Sequence, residues 1–301
     1  MSLNKTFQVP ITLVCTTYNR PLSLFKLLNS IEKNLFKPSE IIIVGTNILD
    51  FKMINNKKFD FKIIKIISSK KNQIYQRNLG LNKSSNSLVI QSDDDLTYER
   101  EFFKNFYKHF KVNKNIKKLV GAKILTVPNK NQSARWNENY HKYFLFRMIL
   151  KILNNFNSIN YMSILSSGRI APLLPLKSND NKSKYVLKDA EWLSSTCCYN
   201  LKKIKKIDIS KKIPLKKSFF EDVIFTHYQF MNGFKLIIDE KIICHHPFIG
   251  TTNFMIYKDT IWTQWQIVKL FHKSKILFFV DVIIFGLLFI LKDLKKILFK
   301  K

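Results

Sequence analysis

The chain has 301 residues, of which 46% are hydrophobic and 14% aromatic, so it has the material for a substantial core. This composition excludes a disordered tail and a collagen-like fibre. The net charge is +30, from 51 Lys and Arg against 21 Asp and Glu, and nearly all of the excess is dispersed Lys. That charge fits a nucleic acid or an anionic membrane as partner, and fits a general compositional drift equally well. Four cysteines without zinc-ligand spacing indicate reduced, cytosolic thiols.

The first hundred residues alternate between strand and helix patterns, and each predicted strand is a short apolar run. Strands are predicted at 11–18, 40–45, 61–67 and 87–95, with helices at 22–31 and 73–81. This order predicts an α/β fold with a mostly parallel central sheet. Ligands of such sheets bind at the carboxyl ends of the strands, which is where the Asn19-Arg20 turn and the acidic cluster Asp93-Asp94-Asp95 fall.

The remainder of the chain is less regular. Helices are predicted at 102–110 and 219–232, and strands at 118–127, 234–239 and 241–246. Residues 128–185 are irregular and rich in Asn and Lys, which is typical of a substrate-specific insertion. We predict one catalytic-type domain over residues 1–255, with 128–185 as a variable acceptor-side insertion, and a C-terminal helical segment over 256–301.

The C-terminal segment contains an apolar run from Ile276 to Leu291 that is bordered by lysines and interrupted by Asp281. A membrane-spanning helix needs about 20 apolar residues, so this run is short for a full span. We predict amphipathic helices that lie on an anionic membrane, with a core helix of the domain and a full span as the alternatives. No secretory signal is visible, so we expect the protein at the cytoplasmic face of the cell membrane.

Three consecutive carboxylates follow the fourth predicted strand, where like charges raise one another's pKa. A divalent cation relieves this repulsion, and Mg²⁺ or Mn²⁺ prefers carboxylate oxygens. Because residues two apart in an extended segment share a face, we expect Asp93 and Asp95 to approach one ion, with Asp94 turned aside. Taken alone, the triplet fits a solvated acidic turn or a helix N-cap equally well.

The order of motifs around this cluster resembles that of the family 2 glycosyltransferases, which have the GT-A fold. The matching motifs are Thr17-Tyr18-Asn19-Arg20, Arg77-Asn78-Leu79-Gly80, Asp93-Asp94-Asp95, Glu221-Asp222, and Gly233-Phe234-Lys235 followed by His246. Each motif is weak by itself, but their order over about residues 9–250 is specific. The resemblance implies a Rossmann-like GT-A domain that performs an inverting transfer from a nucleotide sugar.

The resemblance also implies roles for the matched residues. Asp93, Asp95 and His246 would hold Mn²⁺ or Mg²⁺, with His245 as the alternative to His246. Asp222 would be the general base, with Glu221 as its alternative. The residues implied in binding the nucleotide sugar are Thr17, Tyr18, Asn19, Arg20, Asn47, Arg77, Asn78 and Asp94. The expected donor is a UDP-, GDP- or dTDP-sugar, and the expected acceptor is a lipid-linked or surface glycan of the cell envelope.

Two segments depart from the family pattern. The acid that usually follows the second strand is absent from Val44-Gly45-Thr46-Asn47, so Asn47 is the expected contact to the base. The segment Trp192-Leu193-Ser194-Ser195 lacks the glycine of the W-x-x-G acceptor motif. Because of these departures, an inactive, degenerate member of the family stays an alternative.

Two other classes of function compete with this interpretation. A nucleic-acid-binding protein needs a basic stripe with stacking aromatics, whereas the lysines here are dispersed and the acids are concentrated, so no nucleic acid is expected. A nucleotidyltransferase would use the same acidic metal site, but no Gly-rich, Lys-containing phosphate loop is visible near the N-terminus.

Overall fold

The computed structural model describes residues 6–112, 116–127, 144–159, 162–171, 187–207, 220–247 and 254–298. The chain divides into two compact units. The first unit comprises residues 1–133 and 178–250, and the second comprises 134–177 and 251–301. Residues 134–177, which are most of the insertion predicted at 128–185 in the first domain, group with the C-terminal helices. Contacts between remote segments produce this grouping, and such contacts leave no periodic signal in a sequence.

Within the described residues, the first unit contains a nine-stranded sheet. Its strands are β1 (Phe7–Thr16), β2 (Phe36–Gly45), β3 (Ile63–Ile67), β4 (Leu88–Asp93), β5 (Thr97–Tyr98), β6 (Lys118–Val127), β7 (Leu187–Ala190), β8 (Cys197–Asn200) and β9 (Lys235–Pro247). Their order is β3-β2-β1-β4-β8-β6-β9-β5, and β7 pairs with β9. The strands β1 to β4 pair in parallel with one another, β6 pairs in parallel with β9, and β8 runs antiparallel to β4 and β6. The predicted α/β fold with a mostly parallel central sheet is confirmed.

The described part of the chain contains eight α-helices. In the first unit they are α1 (Pro21–Glu32), α2 (Lys52–Asn55), α3 (Gln73–Asn82), α4 (Phe102–Lys111) and α6 (Glu221–Met231), and in the second unit α5 (Phe144–Leu153), α7 (Phe254–Leu270) and α8 (Lys275–Leu298). Pro21 opens α1, where its missing N–H removes no helical hydrogen bond. The Asn72 side chain caps α3 by accepting a hydrogen bond from the Tyr75 N–H at 2.9 Å.

Helix α3 approaches the sheet closely at Gly80. A Cβ atom on Gly80 would lie 2.5 Å from Cγ1 of Val14 in β1, so a larger residue does not fit without a shift. This close packing carries Arg77, which lies one turn earlier on α3, into the interior, and only 4% of Arg77 is exposed. The buried position of Arg77 therefore depends on the absence of a side chain at Gly80.

The two short strands predicted at 234–239 and 241–246 are one strand, β9. Its register with β6 shifts between Ala122, which faces Asp239, and Lys123, which faces Ile243. The extra residues of β9 form a bulge, which a count of apolar residues in the sequence does not distinguish from a turn. Beyond the bulge, β9 pairs with β5 and continues to His246 and Pro247.

The second unit has a small core of its own, which consists of Leu150, Leu153, Leu165, Ala171 and Phe285. Asp281 of α8 is fully buried there and accepts hydrogen bonds from Ser167 at 3.0 Å and from Nε of Arg169 at 2.7 Å. The charge that interrupts the apolar run is thus paired inside the unit. Among the helices in the described part of the chain, none is long and apolar enough to cross a membrane.

Candidate active site

A cleft of about 770 Å³ lies in the first unit, at the carboxyl ends of β1 and β4. Its lining residues are Thr16, Thr17, Tyr18, Arg20, Lys71, Asn72, Gln73, Gln76, Asp93, Asp94, Asp95, Phe220 and His246. Strands β1 and β4 are neighbours and Thr16 is in register with Asp93, so the sheet brings the two segments that follow them together. The cleft therefore gathers several of the residues that the sequence motifs singled out.

Arg20 binds the last two aspartates of the acidic cluster, which lie in the turn after β4. Its Nη1 is 3.3 Å from Oδ1 of Asp94 and 2.8 Å from Oδ2 of Asp95. The Thr17 hydroxyl donates a hydrogen bond to Oδ2 of Asp94 at 2.7 Å. Burial raises the pKa of Asp94 to about 6, although the Thr17 hydroxyl and the Arg20 charge oppose this rise. Asp94 is thus held by the segment after β1.

Asp93 points away from the other two acids. Its Oδ1 accepts hydrogen bonds from Nη2 of Arg77 at 2.5 Å and from Gln73 at 3.2 Å, and its Oδ2 accepts one from the Ser195 hydroxyl at 2.7 Å. This geometry differs from the expectation that Asp93 and Asp95 face one ion with Asp94 turned aside. Strand β4 ends at Asp93, so the alternation of an extended segment does not continue to Asp95.

Asp95 and His246 face each other across the cleft, with Oδ1 of Asp95 3.4 Å from Nε2 of His246. Among the described residues, this buried Oδ1 has no hydrogen-bond partner. The neighbouring His245 points elsewhere, and its Nε2 lies 2.6 Å from Oε1 of Glu99. Burial favours a higher pKa for Asp95, but His246 and the Arg20 charge lower it below its usual range. The Asp95 carboxylate in turn raises the pKa of His246.

Arg77 connects the acidic cluster to the start of α6. Its guanidinium binds Asp93 through Nη2 and Oε1 of Glu221 through Nη1, and the side chains of Arg77 and Glu221 are both more than nine-tenths buried. Asp222 is half-buried beside this pair, and it accepts hydrogen bonds from the backbone N–H groups of Val223 and Ser195. Burial raises the pKa of both Glu221 and Asp222, although the Arg77 charge opposes the rise.

Four residues expected at the nucleotide lie outside the cleft lining, and the first of them is Arg77, which is engaged by Asp93 and Glu221. Oδ1 of Asn47 caps the 3₁₀ turn at Ile48–Phe51, so this side chain is used locally. Asn78 is exposed on α3. Asn19 adopts a left-handed backbone conformation, with φ 53°, and its N–H donates to Oδ1 of Asp50 at 2.7 Å.

Other residues at the cleft were missed by the sequence analysis. Asp50 is buried and accepts hydrogen bonds from the N–H groups of Thr46 and Asn47, so it ties the segment after β2 to the segment after β1. Gln76 donates to the carbonyl groups of Thr17 and Val44 at 3.2 and 3.0 Å. No motif marks these residues, although the Asn47-x-x-Asp50 spacing of a capping box was a usable signal for Asp50.

Comparison with known proteins gives a consistent class. A model of glycosyl transferase family 2 matches residues 12–169, which is more than half of the chain. A crystal structure of GalNAc-T7 with UDP, GalNAc and Mn²⁺ has a TM-score of 0.55 and 12% identity, and the match covers 89% of this chain and 48% of that one. At this identity the likeness concerns the fold alone. The comparison with curated proteins finds no match.

Two crystal structures of S. aureus TarS are also similar. Residues 1–349 of TarS give a TM-score of 0.46 at 14% identity, over 86% of this chain and 65% of that chain. Another TarS structure gives 0.47 at 14% identity, over 85% and 39%. This chain spans less than two thirds of the length of each of these structures.

The fold is similar to that of a GT-A glycosyltransferase structure, and the family match includes strands β2 to β6 of this chain. The chain belongs to glycosyl transferase family 2, which confirms the resemblance read from its motifs.

The buried Arg77–Glu221 pair generates a prediction about stability. Arg77→Met leaves Asp93 and the buried Glu221 without their cation, so we expect a loss of about 3 kcal/mol in the free energy of unfolding. Adding Glu221→Gln should recover about 1 kcal/mol or more, because one uncompensated charge is removed. Urea unfolding followed by tryptophan fluorescence measures both.

Arg20→Met is the matched control, because this arginine also binds two carboxylates but its side chain is 43% exposed. We expect it to cost about 1 kcal/mol or less. Equal losses for the two arginine variants, or no recovery in the double variant, would contradict the role given to the buried pair.

Proposed function

We propose that this chain transfers a sugar, with inversion, from a nucleotide sugar to a lipid-linked or surface-glycan acceptor at the cytoplasmic face of a membrane. The observation that carries the proposal is that two separate groups of polar side chains lie on either side of the Arg77 ion pairs. On one side, Arg20, Asp94, Asp95 and His246 line the cleft, and on the other side Asp222 stands at the start of α6. Such a division suits a reaction that handles a donor and an acceptor separately.

The donor half of the proposed site is formed by the segments after β1 and β4. Thr17, Tyr18, Arg20 and Asp94 line the cleft. The Thr17–Asp94 hydrogen bond and the Arg20 ion pairs hold this wall in one arrangement before any ligand arrives, which lowers the ordering cost of binding. The tyrosine ring, which is 40% exposed, offers an apolar face for a base or a sugar.

A divalent metal fits beside Asp95 and His246. The buried Oδ1 of Asp95 and the Nε2 of His246 lie 3.4 Å apart, and together they offer the oxygen and nitrogen ligands that Mn²⁺ accepts. Asp93 is the weaker candidate, because both of its oxygens are occupied by Arg77, Gln73 and Ser195. The described residues contain no cluster of three or more ligand side chains. A bound Mn²⁺ or Mg²⁺ would neutralise charge on the departing diphosphate.

The acceptor half centres on Asp222. Inversion needs a base that takes the proton of the acceptor hydroxyl. Glu221 is engaged by Arg77, whereas Asp222 is half-buried and, among the described residues, accepts its hydrogen bonds from backbone N–H groups. A carboxylate with a raised pKa is a better proton acceptor at neutral pH than an ordinary aspartate. The helix start favours the charged form of Asp222 before the reaction.

The first test concerns the metal and uses Mn²⁺ alone. Asp95→Ala and His246→Ala should each weaken Mn²⁺ binding by more than about tenfold, because each removes a ligand, and loss of an outer-shell partner already costs about 10-fold to 100-fold. Electron paramagnetic resonance of free Mn²⁺ measures the affinity. His245→Ala is the matched control, because this neighbouring histidine pairs with Glu99 outside the cleft lining, and it should bind Mn²⁺ as the wild type does. Unchanged affinity in both the Asp95 and His246 variants would contradict the proposed ligands.

The second test concerns the base. A screen of UDP-, GDP-, dTDP- and CMP-sugars with Mn²⁺ first identifies the donor by calorimetry. Asp222→Asn should then lower the rate of sugar transfer by about 10²–10⁴, because the amide cannot accept the proton. The affinity for the donor should stay within about twofold, since Asp222 does not line the cleft.

Asp189→Asn serves as the control, because this carboxylate is 77% exposed, and it should leave the rate unchanged. Transfer by Asp222→Asn at the wild-type rate would return the role to Glu221. A wild-type chain that binds none of the four donors would contradict the proposed function as a whole.

The proposed membrane site is the apolar face of α8, defined by Ile276, Phe279, Ile283, Leu287 and Ile290, which are 55–77% exposed. Helix α5, which packs on α8 in the second unit, also exposes apolar side chains, among them Phe144 and Leu145. Basic residues accompany these faces: Lys269 and Lys275 at the turn between α7 and α8, and Arg147 and Lys151 on α5. Exposed apolar side chains fringed by cations fit an anionic bilayer.

The membrane site predicts how the full chain binds vesicles. Phe279→Ser with Ile283→Ser should weaken binding to phosphatidylserine-containing vesicles by about 30-fold to 100-fold, because two buried apolar contacts are lost. Co-sedimentation measures the partition. Ile48→Ser with Leu49→Ser is the control, because these residues are similarly exposed in the first unit, and we expect no change. Unchanged binding by the α8 variant, or equal wild-type binding to phosphatidylcholine alone, would overturn the assignment.

A further inference from the structure

The cations that line the cleft differ in how far their charges are already paired. Arg20 binds the carboxylates of Asp94 and Asp95, and His246 faces Asp95. Lys71 is different. Among the described residues its Nζ contacts Tyr18, where it lies 3.7 Å from the ring centroid and donates a hydrogen bond to the hydroxyl, and no carboxylate is within ion-pair distance. Lys71 is therefore the lining cation whose charge is least neutralised.

The backbone around Lys71 is held from both sides. Before it, the Ser68 hydroxyl donates to the carbonyl of Lys70 at 2.8 Å and accepts from the Lys70 N–H at 3.2 Å, which closes a turn. After it, Asn72 caps α3. The phenol of Tyr18, which also lines the cleft, accepts a hydrogen bond from the ammonium group. An ammonium held in place in this way costs less entropy to use than one on a free side chain.

The cleft needs such a charge for an anionic ligand. Its lining includes three aspartates, of which Asp94 and Asp95 share a single guanidinium. A diphosphate that enters this cleft meets their repulsion unless further cations face it. An ammonium group is a compact point charge that binds a phosphate oxygen well.

We propose that Lys71 binds the diphosphate of the nucleotide-sugar donor and that Tyr18 holds it in readiness. This inference rests on the proposed function. In the transfer, the bond between the sugar C1 and the terminal phosphate oxygen breaks, and its electron pair stays on the diphosphate. The acceptor oxygen bonds to C1, and its proton passes to Asp222. The diphosphate gains negative charge as it leaves, so the contact with Lys71 strengthens in the transition state.

The test compares charge-removing and charge-keeping variants of Lys71 in the full chain with Mn²⁺. Calorimetry with UDP, GDP, dTDP and CDP first selects the nucleoside diphosphate that the wild type binds. Lys71→Met should weaken its affinity by about tenfold to 100-fold, which is typical of a lost charge-assisted hydrogen bond. Lys71→Arg should restore affinity to within about threefold. The corresponding nucleoside, which has no phosphate, should bind the wild type and Lys71→Met with equal affinity.

Lys70→Met is the matched control. Lys70 precedes Lys71 in the same loop and lies over the Tyr75 ring at 5.2 Å, but it does not line the cleft, so its loss should leave the affinity unchanged. Unchanged diphosphate affinity in Lys71→Met would overturn the inference while leaving the proposed function intact. An equal loss for the nucleoside would also overturn it, because it would indicate a collapsed loop. Absence of wild-type binding to all four diphosphates would overturn both.

Discussion

The Arg77 guanidinium is the group on which the arrangement of the first unit's cleft depends. It lies on α3 and binds Asp93, 16 residues away at the end of β4, and Glu221, 144 residues away at the start of α6. A buried charge is tolerated only when it is paired, so the three elements cannot move independently. The depth of the guanidinium depends in turn on Gly80, which lets α3 pack against Val14.

This pairing decides what the neighbouring acids are free to do. Asp93 is occupied by Arg77 and Ser195, and Glu221 by Arg77, so neither is available to a ligand without breaking a buried ion pair. Asp94 and Asp95 pair with Arg20 instead, and Asp222 accepts a backbone hydrogen bond at the start of α6. Arg77 thus engages two of these carboxylates and leaves the others to different partners. The repulsion among these neighbouring carboxylates is offset by the same ion pairs and hydrogen bonds that fix their positions.

The second unit also pairs a buried charge, which is Asp281 of α8. Asp281 falls in the middle of an apolar helix, where an unpaired carboxylate would be strongly unfavourable. Ser167 and Arg169 satisfy it, and the guanidinium also stacks on Phe285 at 3.3 Å. The inward face of α8 is therefore specified by a polar contact, and its outward face is left apolar. The proposed membrane site rests on this sidedness.

The sequence by itself determined the class of fold and many of the candidate site residues. Apolar β-branched runs alternate with helical patterns, and short-range periodicity of this kind is enough to predict β1 to β4 with their parallel order. The motif order identified family 2, and it named Thr17, Arg20, Asp94, Asp95 and His246, all of which line one cleft. Those predictions depend on local patterns and on a rule for parallel sheets, both of which a sequence carries.

Only the tertiary structure decided how these residues divide their work. The end of β4 at Asp93, rather than the spacing of the triplet, turns this acid toward Arg77. Asn47 was expected to contact the nucleotide base, and its side chain caps the 3₁₀ turn in the structure. No motif pointed to Asp50 or Lys71. Lys71 lines the cleft, and Asp50 accepts a hydrogen bond from the Asn19 N–H in the segment after β1. The physical reason is the same in each case. A side chain's partner is set by contacts between segments that are remote in sequence, and these contacts exist only after the chain has folded.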